Sequence, residues 1–590
     1  MSRVSVSALI GGLRTPAGFS WPQAAVAALI AVFLIFFLIV PVITVVYVAF
    51  VDGAGSFTLS HFGSFFSLSL MRESFWNSLI VATLSVVFAS LIAIPLAYFT
   101  VRFEFRGALL IQTLGILPLI MPPFVGAVAM QLIFGRSGSV NLLLGEWFGF
   151  TLPIMEGLNG VIFVEALHYF PFILMNLVVA LNNIDNTMEE SAQNLGASGM
   201  RLFRRIVFPL AMPGYVAGAA LVFIKVFDDL GTPLVLHQTN LLAPQAYLRI
   251  TSIGIEDPIG YVIGVLMVLF SLAALWASAL ALRGRDYATM QRGYGGLEKR
   301  RLRPWQTAVA YGWIVLVLAL VLAPHLGILL LSFGKVWSFS VVPDSYTLQH
   351  YATVFEDSPR MIWNTVLYCG IAAGLDVLLG TAIAYLMLRT RVPAAKSLDF
   401  MATAALAIPG VVLAIGYLRT FRGVELPFTD GLLASSWLLL VIAYTVRRLP
   451  YALRSCLAAL QQLHVSLEEA AENLGATKAR AIRRVVVPLM AGGILAGFVT
   501  SFMTAAVELS ATIMLIPSQN DAPMSYGIYL YMQSAAGRGP GAALGVLAVA
   551  IVAIGTYLSH RLISGRAAAR ETQPLGRLEA INGAQAAGAG

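Results

Sequence analysis

The stretch Glu189–Gly214, EESAQNLGASGMRLFRRIVFPLAMPG, returns as Glu468–Gly493, EEAAENLGATKARAIRRVVVPLMAGG. No gap is needed: Glu189 and Glu468, Gly196 and Gly475, and Pro209 and Pro488 are each 279 residues apart. Fourteen of the 26 positions are identical. The identities include Glu, Asn, Gly, Arg and Pro, so chance matching of apolar segments does not explain them. The chain is therefore built as two related halves. Trp76-Asn77 and Trp363-Asn364 repeat at an offset of 287, which places a small insertion or deletion between the two marks.

Each copy reads as helix, glycine turn, helix. Thr187-x-x-Glu190 and Ser466-x-x-Glu469 have the form of capping boxes, which predicts a helix start at each. Gly196 and Gly475 supply the permissive residue that ends the helix. Ser198 and Thr477 are placed to cap a second short helix that stops before Pro209 and Pro488. That helix carries Arg201, Arg204 and Arg205 in one copy and Arg480, Arg483 and Arg484 in the other. Leu202, Phe203 and Val207, or Ile482 and Val486, give it an apolar surface. A basic amphipathic element of this kind can lie on an anionic membrane face. Its duplication with the turn glycine kept favours two equivalent protein docking sites, with Glu189 and Glu468 among the coupling residues and Glu190 and Glu469 as capping and loop-bracing groups.

Around these copies the composition sets the solvent. The 590 residues are 58% hydrophobic and only 11% charged, with a mean hydropathy of +0.83. A soluble domain carries about 25% charged residues, so a water-soluble enzyme, a disordered chain and a collagen are excluded. This is an all-α polytopic membrane protein. Cys369 and Cys456 are too few for a disulfide framework or a multi-cysteine metal site and read as small core residues. The net charge of +8 reflects basic cytoplasmic loops and membrane lipid rather than nucleic acid.

Apolar runs long enough to span the hydrocarbon, about 20 residues each, fall at roughly 25–50, 78–101, 108–134, 158–181, 210–227 and 259–282. A second set falls at roughly 307–333, 363–388, 400–419, 433–459, 489–514 and 541–563. The first is too long for a signal-peptide core and reads as a retained span. This predicts a first half over 1–282, a basic linker over 283–306, a second half over 307–565 and a disordered tail over 566–590. An N-terminus inside puts 25 of the 37 Lys and Arg residues on the cytoplasmic side and 9 outside, with Arg447, Arg448 and Arg454 set aside in a span. Both termini are then cytoplasmic, the repeated segments are cytoplasmic between spans four and five, and the halves are parallel repeats.

Both repeated segments resemble the EAA loop of type I ABC importer permeases, EAA-x-x-x-G followed by a hydrophobic-basic stretch and Pro-Leu. Glu469, Ala470, Ala471 and Gly475 match that pattern; the first copy departs only by Ser191. Asp228-Asp229-Leu230-Gly231-Thr232-Pro233, Val507-Glu508-Leu509-Ser510-Ala511-Thr512 and Arg448-Leu449-Pro450-Tyr451 are similar to segments of fused ferric-iron permeases. The resemblance spans essentially the whole chain. It implies a MetI-like fold of two six-helix halves in the bacterial inner membrane. It also implies a separate ATPase homodimer with ATP-Mg docked on the two loops, a periplasmic substrate-binding protein, and no cofactor or catalytic residue in this chain. The same clan holds members that carry phosphonates or sugar phosphates.

Rival classes fare worse. A major-facilitator transporter shares twelve spans in two parallel halves but has its signature loops after span two of each half. His61, His168, His237, His325, His350, His464 and His560 make no HExxH pair or metal-ligand spacing, and there is no GxxxxGK[ST] loop. Candidate pathway groups remain. Asp229 and Glu508 are equivalent at the 279 offset, with Asp228 beside the first; they are either path groups or helix ends at the headgroups. Pro171 and Pro450 are likewise equivalent, preceded by His168 in one half and by Arg447 and Arg448 in the other. The two arginines lie mid-membrane in the path or, if their span ends early, serve as cytoplasmic anchors. A carboxylate pair suits ferric iron or closing a gate against an arginine, whereas a mid-membrane arginine pair suits a phosphate, phosphonate or chelated anionic cargo.

Overall fold

The computed structural model describes residues 21–282, 299, 301–393, 395–426, 431–534, 536–555 and 557. The expected tail, and most of the expected linker, lie outside the described residues. In the first half the main helices are α1 (Trp21–Phe50), α2 (Ser69–Arg102), α3 (Ala108–Ile120), α4 (Pro123–Phe134), α5 (Leu158–Asn182), α6 (Asn186–Asn194), α7 (Gly199–Asp228) and α8 (Pro258–Leu282). The second half holds α9 (Pro304–Phe333), α10 (Pro359–Arg389), α11 (Ala395–Ala407), α12 (Gly410–Thr420), α13 (Trp437–Gln461), α14 (Ser466–Asn473), α15 (Lys478–Leu489), α16 (Ala491–Ala506) and α17 (Arg538–Gly555). Extended pairing among the described residues is limited to isolated bridges. In lipid every backbone polar group must be satisfied within its own segment, which long apolar helices achieve.

Among the described residues nine helices are long and apolar enough to cross a membrane, or eleven if each of two bent pairs is one span. Each of the twelve predicted spans nevertheless meets a helix. The shortfall has two causes. The helix α13 is 25 residues long but carries Arg447, Arg448 and Arg454. Spans nine and eleven are bent pairs, α11 and α12 meeting at 108° and α15 and α16 at 70°. The first of these breaks, which span three shares, follows from Pro409 and from Pro122, its equivalent at the 287 offset. A residue before proline is pushed out of the helical region, and Met121 and Ile408 are both extended, at ψ 140° and 116°.

Each half centres on a three-helix packing: α2, α5 and α7 in one, α10, α13 and α16 in the other. With lipid as the alternative neighbour, close backbone approach rather than hydrophobic burial drives such contacts. The buried face of α2 is accordingly rich in small residues, among them Ser74, Ser78, Ala82, Ser85, Ala89, Ala93 and Ala97. Gly218 lets α7 settle on α5, where a Cβ would stand 2.6 Å from Ile173 Cα. Its equivalent Gly497 lets α16 settle on α13, where a Cβ would stand 3.1 Å from Ala452 Cα. The first helix of each half packs on the other half, α1 on α12 and α9 on α4. Tyr417 donates to the Phe37 carbonyl at 2.7 Å across the first of these contacts.

Candidate functional site

At the repeated segments, α6 does not start with a Thr187 capping box. Asp185 caps it, its carboxylate accepting from the Thr187 amide and hydroxyl, both at 2.9 Å. In the second copy His464 Nδ1 lies 2.8 Å from Ser466 Oγ, and Ser466 is already the first helical residue. In each copy the polar residue two places before the start of the expected box makes the contact, but only Asp185 is itself the cap residue; in the second copy Val465 holds that position and makes no side-chain cap bond. Thr477 does cap the following helix, accepting from Arg480 N at 3.4 Å, whereas Ser198 accepts no cap bond.

The turn glycines behave as predicted. Gly196 and Gly475 are left-handed at φ +85° and +86°. The next amide folds back in both, Ala197 to the Ala192 carbonyl at 2.9 Å and Ala476 to that of Ala471 at 3.0 Å, the bond that closes a Schellman end. The helix after the turn does not stop before its proline. In the first copy it runs on through Pro209 as α7, by way of one π turn over Phe203–Val207. In the second it bends by 70° between α15 and α16.

The expected apolar surface also moves. Leu202, Val207 and Val486 are buried against the bundle, and Phe203 packs on Tyr98 with ring centroids 4.7 Å apart. The most exposed apolar residues are instead Leu195 and Leu474, at 89% and 90% exposure immediately before the turn glycines. Arg201, Arg204, Arg480 and Arg483 are exposed beside them. The bracing carboxylates are Glu189 and Glu468, which are buried; Glu190 and Glu469 are exposed. Glu189 pairs with Arg102 at 2.6 Å and Glu468 with Arg389 at 2.8 Å. Both arginines end the second span of their half, 287 residues apart, a repeat that the sequence reading passed over.

The second cluster lies inside the bundle. Arg447 and Arg448 are buried near the middle of α13, so neither is an anchor beyond a span end. Arg447 donates from Nη2 to Asp228 Oδ2 at 2.7 Å and from Nη1 to Glu508 Oε1 at 2.6 Å. One carboxylate belongs to each half. Asp228 Oδ1 also accepts from the Gly410 amide at 2.7 Å, the first residue of α12, so a helix start freed by Pro409 meets a negative charge. A side chain at 410 would collide with the Arg447 guanidinium. Glu508 accepts further from Ala511 N at 3.1 Å and Thr512 Oγ1 at 3.0 Å, and Tyr444 OH lies 2.6 Å from that hydroxyl.

Asp228 closes α7 and Glu508 follows the end of α16 by two residues; Asp228 and Glu508 are buried, and Asp229 is half-buried. Asp229 keeps the local geometry of Glu508, accepting from Thr232 N three residues on at 2.9 Å. It lacks the arginine, because His168 occupies the position equivalent to Arg447. His168 faces His325 of α9, and with Met121 and Gly126 they border a cavity of about 20 Å³. Arg448 lies near Asp376 of α10. Glu165 and Asp376, both fully buried, escaped the sequence reading because one acid in an apolar helix follows no pattern.

The family described as binding-protein-dependent transport system inner membrane component matches residues 85–287 and 376–568, once in each half. The chain belongs to this family. The repeat is thus two permease domains on one chain, and a major-facilitator reading is excluded. The ferric transport system permease protein FbpB of Actinobacillus pleuropneumoniae is 29% identical over 76% of this chain and 65% of its own length. The chain therefore spans just under two thirds of that relative. The putative ferric transport system permease protein FbpB 1 of Haemophilus influenzae is 30% identical over 75% of this chain and 70% of its own. The molybdenum permease ModB of Escherichia coli is 28% identical over 36% of this chain but 93% of its own length. A single-domain permease is therefore the size of one half.

Proposed function

We propose that this chain is the membrane-spanning subunit of a binding-protein-dependent ABC importer that takes up ferric iron. One observation carries the importer reading: two equivalent loops each present an exposed leucine before a left-handed glycine and tie a buried glutamate to the C-terminal end of span two. The ferric relatives, together with Asp228, Asp229 and Glu508 as hard oxygen donors, support iron as the cargo. In this reading both termini are cytoplasmic, an ATPase homodimer holding ATP-Mg docks on α6 and α14, and a periplasmic binding protein delivers solute to the outer loops. Membrane lipid covers the apolar exterior.

ATP-driven closure of the ATPase pair draws the two loops together. Because Glu189 and Glu468 are bonded to α2 and α10, each loop moves its three-helix packing as a lever. The halves are held at the midline by Arg447, bonded to Asp228 on one side and Glu508 on the other, so separating them has to break that contact. A resident cation between two carboxylates is a gate that an incoming cation can compete with.

The organophosphorus alternative is weaker on the same residues, since Arg447 is already neutralised by two carboxylates. Vesicles holding the chain, its ATPase and its binding protein should accumulate labelled ferric iron on ATP addition, and Asp228→Ala/Glu508→Ala should abolish this. Uptake of a phosphonate or sugar phosphate without iron would replace the cargo while keeping the importer.

A further inference from the structure

We propose that Glu165, Asp229 and Thr232 form a cation-binding site in the first half, which takes a trivalent metal ion directly by oxygen. Only the identity of the cargo rests on the iron-import reading; the site rests on its own geometry. Glu165 projects from α5, fully buried, and its carboxylate faces that of Asp229 and the hydroxyl of Thr232. Neither Glu165 oxygen has a hydrogen bond of acceptable geometry, and neither does Thr232 Oγ1, also fully buried. Asp229 Oδ2 accepts from the Thr232 amide at 2.9 Å. Two carboxylates held face to face in a low-dielectric interior repel strongly unless a cation sits between them or they share a proton.

The second half shows how that charge is supplied when the protein supplies it. There Tyr444 stands at the position equivalent to Glu165 and Arg447 at the position equivalent to His168. One acid is gone, and the other, Glu508, is paired with Arg447 at 2.6 Å. In the first half the extra acid is present and the arginine is absent, while His168 faces His325 instead. The asymmetry leaves four carboxylate oxygens and a hydroxyl, a hard-oxygen set that suits a small highly charged cation. Asp229 is half-buried and adjoins Asp228, so the site touches the Arg447 contact. Among the described residues no group of three or more His, Cys, Asp or Glu is placed to hold a metal. Two carboxylates make a weaker site than such a group, which is what release along a path requires.

The test uses the purified full-length chain in detergent with terbium(III) chloride, read by luminescence sensitised from tyrosine; Tyr169 lies beside both carboxylates. Saturable luminescence is expected for the wild type. Glu165→Gln and Asp229→Asn should each weaken binding by about tenfold or more, since even outer-shell changes cost metal sites that much. Asp376→Asn, an equally buried acid in α10, should leave it unchanged. Glu165→Gln is isosteric and removes a like charge, so its thermal midpoint should not fall. Wild-type affinity in Glu165→Gln, equal loss in Asp376→Asn, or no saturable signal in the wild type (a pair that only shares a proton) each overturns the site. Absent iron uptake by vesicles whose protein binds terbium through Glu165 overturns the import reading alone.

Discussion

Arg447 in the second half lies 2.7 Å from Asp228 in the first, and this ion pair joins the two halves inside the bundle. Because the guanidinium also serves Glu508 at 2.6 Å, its loss strands two buried carboxylates. Breaking a buried pair by removing one partner costs about 3–5 kcal/mol. Arg447→Met should therefore lower stability by about that much, measured by denaturant unfolding in micelles. Adding Asp228→Asn and Glu508→Gln should recover most of the loss, since what is costly is the uncompensated charge. A neutral Arg447→Met would mean that the contact holds nothing together.

The turn glycines allow a cleaner separation of folding from coupling. Any residue with a Cβ at φ +86° pays about 1–2 kcal/mol, while nothing lies within 4 Å of a Cβ at 475. Gly475→Leu should insert and fold, yet hydrolyse ATP without transport. Solute-stimulated hydrolysis at the wild-type rate in that variant would remove the turn from the coupling path.

The brace between each loop and its second span predicts rescue by exchange. Glu468→Arg alone should uncouple, because two cations then face each other where Arg389 and Glu468 now meet at 2.8 Å. Glu468→Arg combined with Arg389→Glu should restore part of the coupling, read as the ratio of ATP hydrolysed to solute moved. No recovery would make the glutamate a contact for the ATPase rather than a brace.

Just before α8, Glu256 bonds Arg419 at 2.6 Å and Arg422 at 2.8 Å, tying a first-half loop to the second half. Hydrogen bonding from Arg419, helped by Arg422, holds its carboxyl below the ordinary carboxylate range. A depressed pKa stabilises the folded state above the unfolded value, about 4.3, and the contribution disappears as pH falls through the folded one. The thermal midpoint of the wild type should thus fall more steeply below about pH 4.5 than that of Glu256→Gln. The difference should shrink in high salt, since the group is exposed. Parallel curves at low salt would show that the contact has no measurable weight.

Much of the architecture was legible in the chain. The constant offset between Glu189–Gly214 and Glu468–Gly493 set two halves and the position of both loops. A turn glycine is readable because only backbone conformation is at stake, which is local. Span lengths were readable because hydrocarbon thickness is a fixed ruler. The cap at Asp185 was missed by two residues, since several polar side chains near a helix start compete and only geometry chooses among them.

The tertiary structure alone decided which charges meet. Composition and offset placed Arg447 in a span and made Asp229 the counterpart of Glu508, but the residue that reaches Arg447 from the first half is the neighbouring Asp228. It does so because α12 starts at Gly410 and aims its first amide at that carboxylate. Nor did any pattern mark Glu165, whose meaning comes from facing Asp229 across two helices. Periodicity reports which side of one helix faces lipid. A buried charge is matched or left open by residues from other helices, and that pairing exists only once the helices are packed.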